Sequence, residues 1–437
     1  MTEPLSSGQL SLSGVSSAAL QAFREGLLAA RAQNYWKAIE YYGDALQFNN
    51  IPDEFRARLF EYRGQCFWLV GEFNAAEKDY KESLTTSDGL EQIGRARVRL
   101  GELADFRGEY DKAKALYDQA LAEGIKANNL LVIGRARRGL GILDRRQGNT
   151  ERALSQLSQA LTAVRQAGET REQARVLISL GRTRKARGEY QQALDAYAEA
   201  ITILESLNDR WRLTQAINDI GECHQALYDI ENAIEYHQRA LRLANEVEAT
   251  LIIPEIKRNL GIDLVEMGQY EAGLVYMQAA LEAQREIGNR EYEAYTLYHL
   301  FRVYMRIHNY DLAAQALTSL QEVADSLNAD RYRALAAFAR GELYFAQDKP
   351  AEAEAELNNA MLAAQTAVDR GILWKLHATM SHVADNPAIA AVHRTIAADF
   401  IRQTAEPLKD PQLKSCFVHA PPVLAVLQAA NIDPEKL

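Results

Sequence analysis

The stretch RRGLGILDRRQGN at 137–149 sets three glycines, Gly139, Gly141 and Gly148, among four arginines. Glycine lets backbone approach a phosphate and arginine neutralises it, so a phosphate-cradling loop is the first chemistry to test. A dinucleotide fingerprint needs G-x-G-x-x-G between a strand and a helix. Here Asp144 stands three after Gly141, and no β-branched apolar strand precedes Gly139. No Gly-Lys-Ser/Thr closes a Walker loop. Nucleophile and metal chemistry fare no better: there is no Gly-x-Ser-x-Gly, no H-E-x-x-H and no carboxylate triad of metal spacing. His377 and His382 sit five apart, off the i, i+4 spacing that chelation by a helix needs. Cys66, Cys223 and Cys416 form no C-x-x-C, have no evident histidine partner and are expected reduced. The chain is therefore read as no enzyme, with no cofactor and no metal.

Those glycines recur. Leu-Gly or Ile-Gly returns at Gly101, Gly141, Gly181, Gly221 and Gly261, forty residues apart; Phe301 and Gly341 continue the series, and Gly64 and Gly26 extend it backwards with shorter steps. Twelve residues after each marker stands a small residue: Ala38, Ala76, Ala113, Ala153, Ala193, Ala233, Gly273, Ala313 and Ala353. Nine after it an aromatic recurs, as Tyr35, Phe73, Tyr110, Tyr190, Tyr270 and Tyr310. Helices approach to roughly 8–10 Å only where contact residues are small, and glycine inside a helix costs about 0.5–1 kcal/mol against alanine. A recurring glycine thus marks close packing. The tyrosines Tyr42, Tyr80, Tyr117 and Tyr197 share one slot, which His237 fills in its own repeat. Phe301 and Leu320 add bulk in the eighth repeat, where the packing is expected to open or change angle.

The pattern L-G-(x)6-G-x-Y-(x)2-A-(x)3-Y-(x)2-A-L, closest in LGELADFRGEYDKAKALYDQAL at 100–121, resembles the tetratricopeptide repeat (TPR), a helix–turn–helix unit. The forty-residue period is similar to that of LGN/Pins-type adaptors and of TPR regions in bacterial signalling proteins. The resemblance implies an all-α, right-handed TPR solenoid. It places a disordered leader at 1–17, nine repeats over 18–368, a degenerate tenth helix pair at 369–405 and a capping tail at 406–437. That tail, with Leu413, Phe417, Val423, Leu424 and Leu427, resembles the segment closing TPR regions in cyclase- and STAND-type signalling proteins. The residues beyond the usual period of about 34 are expected to lengthen helices near SLNDR (206–210) and EIGNR (286–290).

A TPR offers its concave groove, lined by the first helix of each repeat. Positions −6, −3, −2, +1, +4 and +5 from the marker share one helical face. They give Arg95, Arg99, Arg135, Arg138, Arg145, Arg146, Arg175, Arg182 and Lys185, then Asn218, Asp219, Arg258 and Asn259, then Tyr295, Tyr298, His299, Arg302, Met305 and Arg306, with Phe338 and Phe345 behind them. Helices 130–147 and 170–187 carry eleven basic residues against two acids, in a chain of net charge −10. Arginine's planar fork suits carboxylates and phosphates. The partner expected is another protein, bound through an acidic or amphipathic segment; pairing of these arginines with acids of adjacent repeats is the alternative. If the basic wall is free, reversing Arg138 and Arg182 to Glu leaves the melting temperature nearly unchanged. Asn259-Leu260-Gly261 resembles the N-L-G of repeats that grip a peptide backbone. Nucleic acid fits least, since no aromatics interleave the arginines for base stacking.

Composition agrees with a soluble, cytoplasmic reading: 437 residues, 48% hydrophobic and 25% charged, without a basic n-region or an apolar run of membrane length. The function expected is a non-enzymatic scaffold or adaptor. The alternative is the sensor arm of a bacterial signalling system that binds a small peptide or metabolite. Oligomeric state is not legible.

Overall fold

The computed structural model describes residues 15–367 and 370–437. Most of the expected leader therefore lies outside the described residues. The first helix is capped by Ser16, whose hydroxyl accepts from the Ala19 N–H. In chain order the helices are α1 (Ser17–Arg31), α2 (Tyr35–Leu46), α3 (Asp53–Leu69), α4 (Phe73–Thr86), α5 (Leu90–Phe106), α6 (Tyr110–Lys126), α7 (Leu130–Arg146) and α8 (Thr150–Gln166). There follow α9 (Thr170–Ala186), α10 (Tyr190–Ser206), α11 (Arg210–Ala226), α12 (Ile230–Glu246), α13 (Ile253–Glu266), α14 (Tyr270–Glu286), α15 (Arg290–Arg306) and α16 (Tyr310–Leu327). The last are α17 (Asp330–Ala346), α18 (Pro350–Ala367), α19 (Arg370–Val383), α20 (Pro387–Ala405), α21 (Pro411–His419) and α22 (Pro421–Ala429). The described residues contain no strand. The fold class is all-α, a solenoid of paired helices.

The forty-residue period is twice twenty. From α5 to α12 each helix is 17 residues long. Each then ends at a residue of positive φ, and these fall at twenty-residue steps from Gly108 through Asn128, Gly148, Gly168, Gly188 and Asn208 to Asp348. Glycine and asparagine reach the left-handed region at least cost, which closes the helix C-terminus. Gly148 of the opening motif, at φ +88°, is such a turn residue. The extra residues of this period thus lengthen both helices of a repeat alike.

Several marker glycines face an aromatic from the second helix of their own repeat, while Gly261 faces Met277 and Gly341 faces Leu357. A Cβ at Gly64, Gly101 or Gly181 would lie 2.4–2.7 Å from the ring of Tyr80, Tyr117 or Tyr197. Gly139 abuts Tyr117 from the next repeat, at 2.4 Å. Each such ring is buried and contributes roughly 1.5–3 kcal/mol of transfer free energy. His237 takes the slot against Gly221, with its Nδ1 2.6 Å from Asp263 Oδ2. In the eighth repeat Phe301 and Leu320 are both wholly buried, while Leu317 stands where other repeats have tyrosine.

The chain divides into two compact units. Unit 1 comprises residues up to Leu143 with 156–176 and 245–251; unit 2 comprises 144–155, 177–244 and 252–437. In unit 2, α21 starts at Asp410, which accepts from the N–H groups of Gln412 and Leu413. Its Leu413 and Phe417, with Val423 and Leu427 of α22, are buried, and Leu424 is half-buried. Just before α21 the Lys409 backbone N–H donates to Gln191 and its ammonium to Asp195, both at 2.9 Å, tying this segment to α10.

Candidate functional site

The first helices of successive repeats present their charged face to one another. In unit 1, α3, α5, α7 and α9 supply eight side chains to a single ion-pair network. Arg95 Nε donates to Glu61 at 2.7 Å, and Arg99 Nη1 to Glu102 at 2.9 Å. Arg135 pairs with Glu172 at 2.9 Å and stands 3.8 Å from Glu61. Arg175 reaches both Glu102, at 2.7 Å, and Glu172, at 3.0 Å, while Arg138 pairs with Glu102. Burial works against charge here, and the arginines around Glu61, Glu102 and Glu172 overcome it, holding all three carboxyls well below the usual range.

Unit 2 repeats the arrangement with equal charges. Arg182 Nε donates to both oxygens of Asp219, at 2.9 and 2.7 Å. Lys185 pairs with Glu222, which also takes Arg258 at 3.0 Å. Asn259 donates to Asn218 and to Glu222, both at 3.0 Å, and accepts from Arg258. Asn218 donates to Glu255 at 3.3 Å. Burial pushes the Glu255 carboxyl up to about 7 against the pull of Arg182 and raises Asp219 as well. Further along, Arg146 pairs with Glu291 at 2.9 Å and Arg145 stands 3.9 Å from it.

The expected free basic wall is corrected by this geometry. Arg95, Arg99, Arg135, Arg138, Arg145, Arg146, Arg175, Arg182, Lys185 and Arg258 each meet a carboxylate of the chain itself. Asn218 and Asn259 are buried, and their amides bond to neighbouring side chains. Pairing between adjacent repeats describes most of them, while Arg145 and Arg146 reach Glu291 four repeats on and Arg175 reaches Glu102 two repeats back. Burying so much arginine unpaired would be prohibitive, which is why acids accompany it. The sequence reading missed Glu61, Glu102, Glu172, Glu222, Glu255 and Glu291. Four of these obey its own rule: Glu61 lies at −3, Glu102 and Glu222 at +1 and Glu255 at −6 from their markers.

The three acids Asp219, Glu222 and Glu255 also lie close enough to share a metal ion, a grouping the linear spacing did not reveal. Arg182, Lys185 and Arg258 already neutralise them, so this donor set is matched to cations of the chain. His377 pairs with His393 rather than His382, their Nδ1 atoms 2.7 Å apart. Cys66 and Cys223 are buried free thiols, and burial pushes Cys66 up to about 12.

Around α15 the face is more open. Tyr295 lies between Arg258 and Arg331, whose guanidiniums stand 5.9 and 5.5 Å from its ring centre. Phe338 is core, whereas Phe345 is exposed. Arg306 pairs with Glu266 at 3.1 Å over the Tyr270 ring. Arg302 is exposed, with the Tyr298 ring 6.0 Å away. Among the described residues it alone of the groove cations named above has no carboxylate within ion-pair distance. No helix among the described residues is long and apolar enough to cross a membrane.

Comparison with known proteins follows the repeat. One tetratricopeptide-repeat model matches residues 132–206, and another matches 94–119 and 334–358. Heat shock protein STI1 of Saccharomyces cerevisiae is 29% identical over 108 residues, 23% of this chain and 18% of that protein. The chain thus spans less than a fifth of that relative's length. A Rap protein complexed with competence and sporulation factor has a similar structure, with TM-score 0.53 and 15% identity over 89% of this chain and 98% of that one. The Rap conjugation gene regulator of plasmid pLS20, in complex with a Phr peptide, gives 0.52 and 16% over 80% and 95%. At such identities the likeness is one of fold. Forty-residue repetition, paired helices with glycine–tyrosine contacts and the repeat-model matches over 94–119, 132–206 and 334–358 together show that this chain contains tetratricopeptide repeats.

Proposed function

We propose that the chain is a non-enzymatic interaction scaffold whose first-helix face takes an acidic or amphipathic segment of a partner protein. One observation carries the reading. Arg302 is exposed beside Tyr298, on the same helix as Tyr295 and Arg306, and closes no ion pair as its counterparts do, Glu342 and Glu266 acting on it only from beyond that distance. A partner's acid would pair with that guanidinium, and its apolar residues would meet the exposed Phe345. The second reading, a sensor arm, draws on the ion pairs that link first helices of neighbouring repeats. A small anionic peptide competing with those acids for their arginines would reset helix packing. The two Rap structures, solved with a factor and with a peptide, are consistent with either reading.

The test is selection from a displayed peptide library. The wild-type chain should enrich Asp- and Glu-bearing peptides, with capture weakening as salt screens the contact over about 10 Å at 0.1 M. Arg302→Glu should abolish that enrichment and leave stability within about 0.5 kcal/mol, as exposed substitutions usually do. Enrichment unchanged in Arg302→Glu would overturn the proposal.

A further inference from the structure

We infer that the unit 1 network is a binding site for a dianionic oxyanion, a phosphoryl group. The inference rests on the scaffold reading in that a phosphorylated side chain of the bound segment would bring this group; free phosphate shares the chemistry. Five guanidiniums, Arg95, Arg99, Arg135, Arg138 and Arg175, meet three carboxylates, Glu61, Glu102 and Glu172. Each acid is already shared: Glu102 serves Arg99, Arg138 and Arg175, and Glu172 serves Arg135 and Arg175. Within these eight side chains the cationic surplus is two; at the border Glu91 takes Arg58 at 3.2 Å and lies 3.8 Å from Arg95, and half-buried Glu169 faces Arg135 and Arg95.

Donors are in surplus too. The Nε groups of Arg135 and Arg138 are buried with no acceptor in the chain. Burial, together with Arg99 and Arg95 and against the pull of Glu172, brings the Arg135 guanidinium down to about 10, whereas the carboxylates hold Arg95, Arg99 and Arg175 above the usual range against burial. The network is reached from its edge, where the side chains of Arg135, Arg175 and Glu102 are 11, 14 and 17% exposed. A carboxylate would offset one charge. A phosphoryl group carries about −1.5 to −2 and three strong acceptor oxygens, matching both surpluses, and planar guanidinium forks bind it bidentately.

The experiment is calorimetric titration of the full chain with inorganic phosphate and, at matched ionic strength, with acetate. A phosphoserine peptide and its unmodified serine twin, drawn from the selected sequences, form the second arm. Wild type should bind phosphate at least tenfold more tightly than acetate, and the phosphopeptide more tightly than its twin. Arg135→Gln should weaken phosphate at least tenfold, with partial rescue by Arg135→Lys. Arg302→Glu should retain phosphate binding, so loss of peptide enrichment and loss of the anion site are read separately. Acetate equal to phosphate in the wild type overturns the inference without reference to any variant, as does undiminished phosphate binding by Arg135→Gln. If phosphate binds but the phosphopeptide does not surpass its twin, the partner-borne source is overturned.

Discussion

Arg182 separates a structural ion pair from a waiting binding surface. Its Nε gives hydrogen bonds of 2.9 and 2.7 Å to the two oxygens of Asp219, which is 1% exposed. Arg182→Ala leaves that carboxylate with Lys185, whose Nζ is 3.8 Å away. Breaking one side of a buried pair costs about 3–5 kcal/mol, and the remaining lysine puts the alanine variant at the lower end. Arg182→Glu belongs at the upper end, because the new acid would lie beside Asp219 and near Glu255, which is 3.9 Å from Arg182 Nη2. The double replacement Arg182→Met with Asp219→Leu should recover most of the loss, since apolar groups of similar size often replace a buried pair without penalty. Urea denaturation followed by circular dichroism at 222 nm measures all three. A change within about 0.5 kcal/mol for Arg182→Glu, the range of ordinary surface substitutions, would refute the reasoning and restore Arg182 to a free basic face.

Glu255 gives unit 2 a pH dependence of definite sign. Its folded pKa, near 7, exceeds an unfolded value of about 4.3, so folding takes up a proton between them. Its contribution is full below pH 4 and is lost as pH rises through 7. Glu255→Gln should therefore show a smaller fall in urea midpoint between pH 5 and pH 8 than the wild type; equal falls would contradict the assignment. Gly181→Ala puts a Cβ 2.4 Å from the Tyr197 ring. It should destabilise by about 1–3 kcal/mol, as overpacking does, although alanine favours helix by about 1 kcal/mol. A stabilised variant by the same denaturation assay would show that the glycine is not a packing site.

The fold was legible because each repeat states it again. A single Leu-Gly is ambiguous, but Gly64, Gly101 and Gly181, each with a tyrosine sixteen residues on, leave a helix pair as the arrangement in which both residues make sense. The doubling of the period into two equal helices was less visible. The residues that end the second helix of a repeat change identity, from Asn128 to Gly168 to Asn208. Only their shared left-handed conformation makes them equivalent, and Glu248 adopts it without the usual composition signal.

The charges were harder to read because their partners lie in other repeats. Arg135 pairs with Glu172, Arg182 with Asp219, Lys185 with Glu222, and Asn218 bonds to Glu255; every one of these is 37 residues ahead. That interval is one period less three residues. It is the step by which a side chain at +1 meets one at −2 on the next first helix, a single turn lower on the same face. Inspecting repeats four and five alone shows eleven cations against Asp144 and Glu172; inspecting positions 37 apart shows the pairs. The same interval accounts for the exception. Thirty-seven residues beyond Arg302 stands Ala339, which is wholly buried and carries no charge. The sequence supplies no carboxylate at that position, and the acids that act on Arg302, Glu342 and Glu266, do so without closing an ion pair.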